Sequence, residues 1–247
     1  MVVAFVALHG SARSLSSATS ETYLLARQAD TEMLGNPDWW ATKAVLGLPA
    51  TDDGFHGEVG MTELKIAIIV GSTRPGRHSP AVAEWVLGQA AGRQGVRYHI
   101  VDLADHPLPL YDEAVPPSYG QCQNEHTKAW AATIAPYDGY IFVSPEYNHS
   151  TSAVLKNALD HLYAEWHNKA AAFAAYGSLS GARAVEHLRL ICAELHMATV
   201  RQQLAFSLFT DFENFTAFTP ATMHNDSAAI MFAQLEGWAG ALKALRS

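Results

Sequence analysis

Residues 64–79 read LKIAIIVGSTRPGRHS, and the fold follows from the way this stretch changes character halfway along. Its first half, Leu64 to Val70, is a short apolar run rich in β-branched residues, the composition of a strand buried on both faces. Its second half has a glycine at Gly71, hydroxyls at Ser72, Thr73 and Ser79, and cations at Arg74 and Arg77. The segment that follows places Val82, Trp85 and Val86 on one helical face. A buried strand, a glycine- and hydroxyl-rich loop and an amphipathic helix form the opening unit of a parallel α/β sheet.

The same alternation continues down the chain. Short apolar runs recur at 98–103, 139–144, 170–176 and 198–206. Between them lie a weaker helical pattern from Ser118 to Ala135 and clearer ones marked by Leu155, Ala158 and Leu159 and by Leu188, Ile191 and Leu195. A last stripe comprises Met231, Leu235, Trp238, Leu242 and Leu245. Five strands alternating with five helices imply a parallel sheet covered on both faces. Right-handed crossovers leave few topologies, of which the flavodoxin-like three-layer sandwich with strand order 2-1-3-4-5 is the simplest. Residues 1–60 stand apart, with three basic and seven acidic residues and no lasting periodicity. They read either as a flexible extension or as sequence upstream of a natural start at Met61; the second is preferred. The domain is expected to span 61–247.

Bulk properties exclude several classes. With 49% apolar and 16% charged residues the chain can bury a sizeable core. A net charge of −8 argues against a general nucleic-acid binder, which needs a basic face. No apolar run approaches the roughly 20 residues of a membrane span. The apolar start from Met1 to Leu8 lacks the basic flank of an export signal. Two cysteines, Cys122 and Cys192, form no CxxC pair and suit a reducing cytoplasm. None of the twelve histidines shows a metal-ligand spacing, and His149, His161 and His167 share no helical face, so no metal is expected.

In an open parallel sheet, ligands bind beyond the carboxyl ends of the strands near the switch in strand order. That places the chemistry in the loops after strands 1, 3 and 4. The loop Gly71–Ser79 offers hydroxyls, two cations and a helix start, a combination suited to a terminal phosphate. Its Gly71–Gly76 spacing resembles a P-loop, but Arg77 and His78 stand where the lysine and the magnesium-binding hydroxyl belong. In the second loop, Pro145-Glu146-Tyr147-Asn148, the proline and asparagine turn the chain, and Tyr147 offers a flat surface for a planar ring. Ser150 or Thr151 is expected to cap the helix carrying Lys156, Asn157 and Asp160. The third loop, Tyr176 to Gly181, presents backbone N–H groups, and its Ser180 lacks the flanking glycines of a serine-hydrolase elbow.

Taken together, the three loops resemble the NAD(P)H-dependent FMN reductase family, with its GSxR, PEYNxSxxxxLKNAxD and YGSxxGxRAxExLR segments. The corresponding stretches are Gly71–Arg74, Pro145–Ser150 running into Leu155–Asp160, and Tyr176–Ser178 with Gly181–Glu186, and Leu108–Glu113 looks like the family's loop after strand 2. Ala153 departs from the pattern, where many members carry the second residue of a Pro-Gly pair. The resemblance implies that Ser72, Arg74 and Ser79, with Arg77, hold the FMN phosphate. It implies that Pro145, Glu146, Tyr147 and Asn148 contact the flavin largely through backbone groups, and that Gly177, Ser178 and Ser180 face the pyrimidine edge. It implies NADPH or NADH as co-substrate, a small-molecule electron acceptor such as free flavin or a quinone, and a homodimer or homotetramer. The flavin carries the chemistry in this reading, with no essential side-chain acid or base. A flavodoxin-type electron carrier and an FMN-loaded redox sensor remain the alternatives. Phe206, Phe209, Phe212, Phe215 and Phe218 recur every third residue, as loop packing or as an aromatic lid or dimer seam.

Overall fold

The computed structural model describes residues 63–246, so the expectations for residues 1–60 and for a start at Met61 lie outside the described residues. Strand β1 (Leu64–Val70) leads into helix α1 (Ser79–Gln89), then β2 (Val96–Asp102), α2 (Glu125–Ile134) and β3 (Gly139–Pro145). Helix α3 (Ala153–Asp160), β4 (Ala170–Gly177) and α4 (Ala182–Glu194) follow. The chain closes with the short strands β5 (Ala198–Thr199) and β6 (Leu204–Ser207), the pair β7 (Phe212–Glu213) and β8 (Ala217–Phe218), and helix α5 (Met223–Lys243). The main sheet is parallel throughout, in the order β2-β1-β3-β4-β5, with β6 also on β4.

Alternation along the strands explains the three layers. Ile66, Ile68 and Val70 point to one face and join Val82, Val86, Met231 and Leu235 of α1 and α5. Ala67 and Ile69 point to the other and join Trp130, Leu155, Leu159 and Leu188 of α2, α3 and α4. Because neither face of β1, β3 or β4 is open to water over most of its length, these strands read as apolar runs without alternation, whereas the edge strand β2 exposes Arg97 and His99. Among the described residues no helix is long and apolar enough to cross a membrane.

Three local expectations change. The fifth strand, expected over 198–206, is broken in two. The Arg189 guanidinium takes the carbonyls of Val200 and Arg201 at 2.8 and 3.1 Å, and the Gln202 N–H goes to Gln234 at 2.9 Å, which pulls the intervening backbone off the ladder. The helix expected from Ser118 starts at Glu125. Pro117–Tyr119 forms a 3-10 turn ended by Gly120 at φ 65, and the Glu113 carboxylate holds the N–H groups of Gln123 and Asn124. On α5, Met231 and Leu235 are buried with Ala228, Phe232 and Ala239, whereas Trp238 is 47% exposed.

The phenylalanine run also divides. Phe206, Phe212 and Phe218 pack together and against Trp85, while Phe209 and Phe215 lie exposed, edge to face at 5.8 Å.

Candidate functional site

The register puts the carboxyl ends of β1, β3 and β4 side by side, with Val70 opposite Val143 and Pro145 opposite Tyr176. The chain leaves β1 toward β2 on one side and returns to β3 on the other, so the switch in strand order lies at these ends. Backbone bonds continue the alignment into the loops: Gly71 N–H donates to the Val143 carbonyl at 2.8 Å and Glu146 N–H to the Tyr176 carbonyl at 2.9 Å.

The first loop is shaped by close approach. A Cβ on Gly71 would meet the Val143 oxygen at 2.7 Å and the Leu155 side chain at 2.9 Å, so only glycine fits there. Pro75 and Gly76 then occupy the centre of a turn closed by Arg77 N–H on the Arg74 carbonyl at 3.1 Å, with Gly76 at φ 68. The two arginines diverge. Arg77 grips Asp102, at the end of β2, through two bonds of 2.9 and 2.7 Å, and also holds the Ser72 carbonyl. Arg74 stays exposed, its Nε 3.3 Å from the Tyr147 hydroxyl. Ser72 is buried with its hydroxyl 3.3 Å from the same Tyr147 oxygen. Ser79 is buried at the first position of α1, 2.8 Å from the Tyr176 hydroxyl, whose pKa burial pushes up to about 12.

Helix α1 begins at His78 without a side-chain cap, and Pro80 follows in the first turn. The His78 ring packs on Phe212 and Tyr176. The opening N–H groups of α1 therefore lack a capping side chain, and the loop before them carries the exposed Arg74 guanidinium, which reaches the Tyr147 hydroxyl and the Gly76 carbonyl.

The second loop is a tight reversal. Tyr147 and Ser150 exchange backbone bonds of 2.9 and 3.1 Å, and the two residues between, Asn148 and His149, sit at φ 47 and 75. Two consecutive left-handed residues follow the type I′ pattern; for non-glycines this costs on the order of 1 kcal/mol each, a strain that gathers at functional loops. Tyr147 is left 37% exposed above the loop. The expected cap of α3 changes hands. Ser152 caps, accepting from Leu155 N–H at 3.1 Å and donating to the Gly71 carbonyl, because Ser150 is turned to His187 and Thr151 to Ser144.

Glu146 offers the cleft its main chain rather than its carboxylate. The side chain is 2% exposed and accepts from Arg183 through the backbone N–H at 3.0 Å, through Nε at 2.6 Å and through Nη2. Burial alone would raise this carboxyl, but the Arg183 bonds outweigh it and hold it below the usual range. In the third loop a Cβ on Gly177 would sit 3.0 Å from Glu146 Cβ, and one on Gly181, at φ 73, would sit 2.5 Å from Ala175. Ser180 is also left-handed at φ 56, and Ser178 is exposed.

Thus Ser72 and Arg74 meet at the Tyr147 hydroxyl, Ser79 lies against Tyr176 at the end of β4, and Asn148, Gly177, Ser178 and Ser180 lie in the second and third loops. Arg77 and the Glu146 carboxylate turn away to brace the loops. Sequence reasoning missed three supports: Asp102, Arg183 and the Ser152 cap. Asp102 stands opposite Val70 in register, which the sequence signals only as an acidic residue ending an apolar run.

A sequence profile described as NADPH-dependent FMN reductase matches residues 64–211. An NAD(P)H-dependent FMN reductase of Schizosaccharomyces pombe is 40% identical over 149 residues, covering 60% of this chain and 74% of that protein. A 2-hydroxy-1,4-benzoquinone reductase of a Burkholderia species is 34% identical over 146 residues, covering 56% and 75%. Among solved structures, a flavoenzyme NAD(P)H:(acceptor) oxidoreductase from Paracoccus denitrificans superposes with a TM-score of 0.54 at 20% identity, covering 71% of this chain and 97% of that one. At that identity the likeness speaks for the fold alone.

Proposed function

The chain belongs to the NADPH-dependent FMN reductase family, and on that premise we propose that the three loops hold FMN and serve electron transfer from NAD(P)H to a small diffusible acceptor. The observation that carries the reading is the uncapped start of α1 beside exposed Arg74 and buried Ser72 and Ser79, with half-exposed Tyr147 adjoining. That donor set fits a phosphomonoester joined to a flat ring system. Ser72, Arg74, Ser79 and the first N–H groups of α1 would hold the phosphate. Arg77 would act one step removed, fixing the Ser72 carbonyl through its grip on Asp102. Pro145, Glu146, Tyr147 and Asn148 would meet the flavin mainly through backbone, and Gly177, Ser178 and Ser180 would face its polar edge.

Bound FMN would supply the redox chemistry, accepting hydride from the nicotinamide at N5 and passing the electron pair to the acceptor. The chain's own residues position and neutralise; no side-chain acid or base is assigned. The main parallel sheet has one switch in strand order among the described residues, so nicotinamide and acceptor would take turns at one cleft, giving ping-pong kinetics. Free flavin and quinones are the acceptor classes this reading favours. Two free cysteines keep the reading in a reducing cytoplasm. A homodimer is part of it, because Phe209, Phe215 and Leu179 stay exposed near the third loop. Light scattering should then give at least twice the chain mass, and a pure monomer would remove this element.

The deciding experiment is purification, a visible spectrum, and NADH and NADPH oxidation with free FMN, quinones and azo dyes. A yellow protein with rapid multiple turnover is expected, which also separates an enzyme from a one-electron carrier. A colourless protein indifferent to added FMN would overturn the proposal.

A further inference from the structure

Away from the cleft, three side chains from three different segments converge. Asp112 lies between β2 and α2, His126 in the first turn of α2, and His161 immediately past the end of α3. One ligand atom from each lies within 4.8 Å of the other two. His126 Nε2 is 2.9 Å from Asp112 Oδ1. The histidines are 35 residues apart and the aspartate lies 14 before the first, a spacing that no local motif announces.

The surroundings orient these groups. His161 is fully buried, with Nε2 3.1 Å from the Pro109 carbonyl and Nδ1 3.2 Å from the Thr127 hydroxyl. A carbonyl can only accept, so Nε2 carries the ring proton and Nδ1 keeps its lone pair. An imidazole whose one N–H is held by a backbone carbonyl, leaving the other nitrogen a lone pair, is arranged as metal-binding histidines are. Asn124 Nδ2 steadies Asp112 Oδ1 at 3.0 Å. Asn157 anchors the same segment, donating to the Pro109 carbonyl at 2.7 Å and accepting from Tyr111 N–H at 3.0 Å. The ligand-bearing loop is therefore held in place from two sides.

We propose that Asp112, His126 and His161 bind one late first-row divalent cation, with Zn2+ the preferred ion. Two imidazoles and one carboxylate suit Zn2+ or Co2+, whereas Mg2+ and Ca2+ favour all-oxygen sets. Three protein ligands leave a position for water. Binding shifts the His126 ring proton from Nε2 to Nδ1, freeing Nε2 to ligate beside the carboxylate, and turns the Thr127 hydroxyl away from His161 Nδ1 so that its lone pair meets the ion. The ion ties the loop after β2 to α2 and to the end of α3. The same loop, through Tyr111 and Glu113 to Ser118, walls a cavity of about 630 Å3, so occupancy would hold that wall shut against α3. The assignment is independent of the flavin reading.

The test uses the full chain with any affinity tag removed, stripped by chelator, and titrated with Co2+ and then Zn2+. One equivalent of Co2+ should be taken up with the visible ligand-field bands of low-coordinate nitrogen and oxygen ligation, and Zn2+ should displace it. Asp112→Asn and His126→Ala, both at solvent-reachable positions, should each weaken uptake at least ten-fold, while His99→Ala should leave it unchanged. Circular dichroism and flavin content measured on the same samples separate loss of metal binding from misfolding or a failed flavin site. A folded wild type that takes up no stoichiometric ion overturns the proposal, as does uptake that both variants retain.

Discussion

Arg74 and Arg77 lie three residues apart in one loop and do different work, which their identity alone could not reveal. Arg77 and Asp102 are 18% and 20% exposed and meet in a two-point bond, while Arg74 faces solvent beside Tyr147. Removing a charged partner from a phosphate costs about 1.5–3 kcal/mol. Arg74→Ala should therefore weaken FMN retention roughly 10- to 100-fold with the unfolding midpoint unchanged, as fluorescence titration of released flavin can read. Full retention would remove Arg74 from the phosphate site. Glu146 makes a different case. Its carboxyl is depressed in the folded state, so its stabilising effect is fully present above the unfolded value of about 4.3 and fades as pH falls through the folded one. Glu146→Gln should lose stability at neutral pH by about 2 kcal/mol, since Arg183 is partly solvated. The gap from wild type should shrink as urea midpoints are followed down toward about pH 3; a gap that stays constant would deny the charge its role.

At the scale of elements, the α3 entrance shows how a local rule reaches a tertiary contact. Ser152 caps the helix and also binds the Gly71 carbonyl, so one hydroxyl joins β1's loop to the second loop. Ser152→Ala should cost about 1–2 kcal/mol in urea unfolding, the upper part of the range for a lost cap. Thr151→Ala and Ser150→Ala should cost less, and equal losses at all three positions would contradict the assignment. The sequence made α3 legible but left three adjacent hydroxyls as equals, because a cap depends on which one faces the first-turn N–H groups. Three of the four long strands, β1, β3 and β4, were likewise legible, since burial on both faces leaves an apolar signature; the edge strand β2 read as an apolar run only from Tyr98 on. The break in the fifth was not: it comes from Arg189 and Gln234, which lie in other elements. In the cleft, Gly71 and Gly177 stood out because close backbone approach selects glycine, and Tyr147 because a ring in a turn is an uncommon choice. The Asp102 and Arg183 braces required knowing which strand ends are neighbours.

Over the whole molecule, ion pairs brace both ends of the sheet, and the ends differ in what those pairs leave open. The carboxyl end, held by Arg77–Asp102 and Arg183–Glu146, is a cleft of glycines, turned backbone and an exposed arginine. The amino end is locked by ion pairs: Asp138 receives Lys243 at 3.1 Å, Arg246 at 2.6 Å and the Lys65 N–H at 2.9 Å. Beneath this lock lies Lys169, 3% exposed, donating to the Ala135 carbonyl and the Tyr140 hydroxyl, each at 2.9 Å. Burial, helped by nearby Arg246, lowers its pKa from the usual 10.5 to about 8. Between those values the unfolded chain holds a proton that the folded one has released, so this group makes stability rise with pH. At 1.36 kcal/mol per pH unit the gain approaches ~3 kcal/mol across the window. Cys192 acts in the opposite sense above its ordinary pKa, because burial pushes its thiol up to about 12. The wild-type curve alone therefore mixes the two, and the comparison must be with Lys169→Met. Unfolding free energies for both proteins should diverge between about pH 8 and about pH 10, the wild type gaining on the variant by roughly 2–3 kcal/mol. Parallel curves would mean that Lys169 is charged in neither state or in both, and that the amino end of the sheet tolerates its cation without penalty.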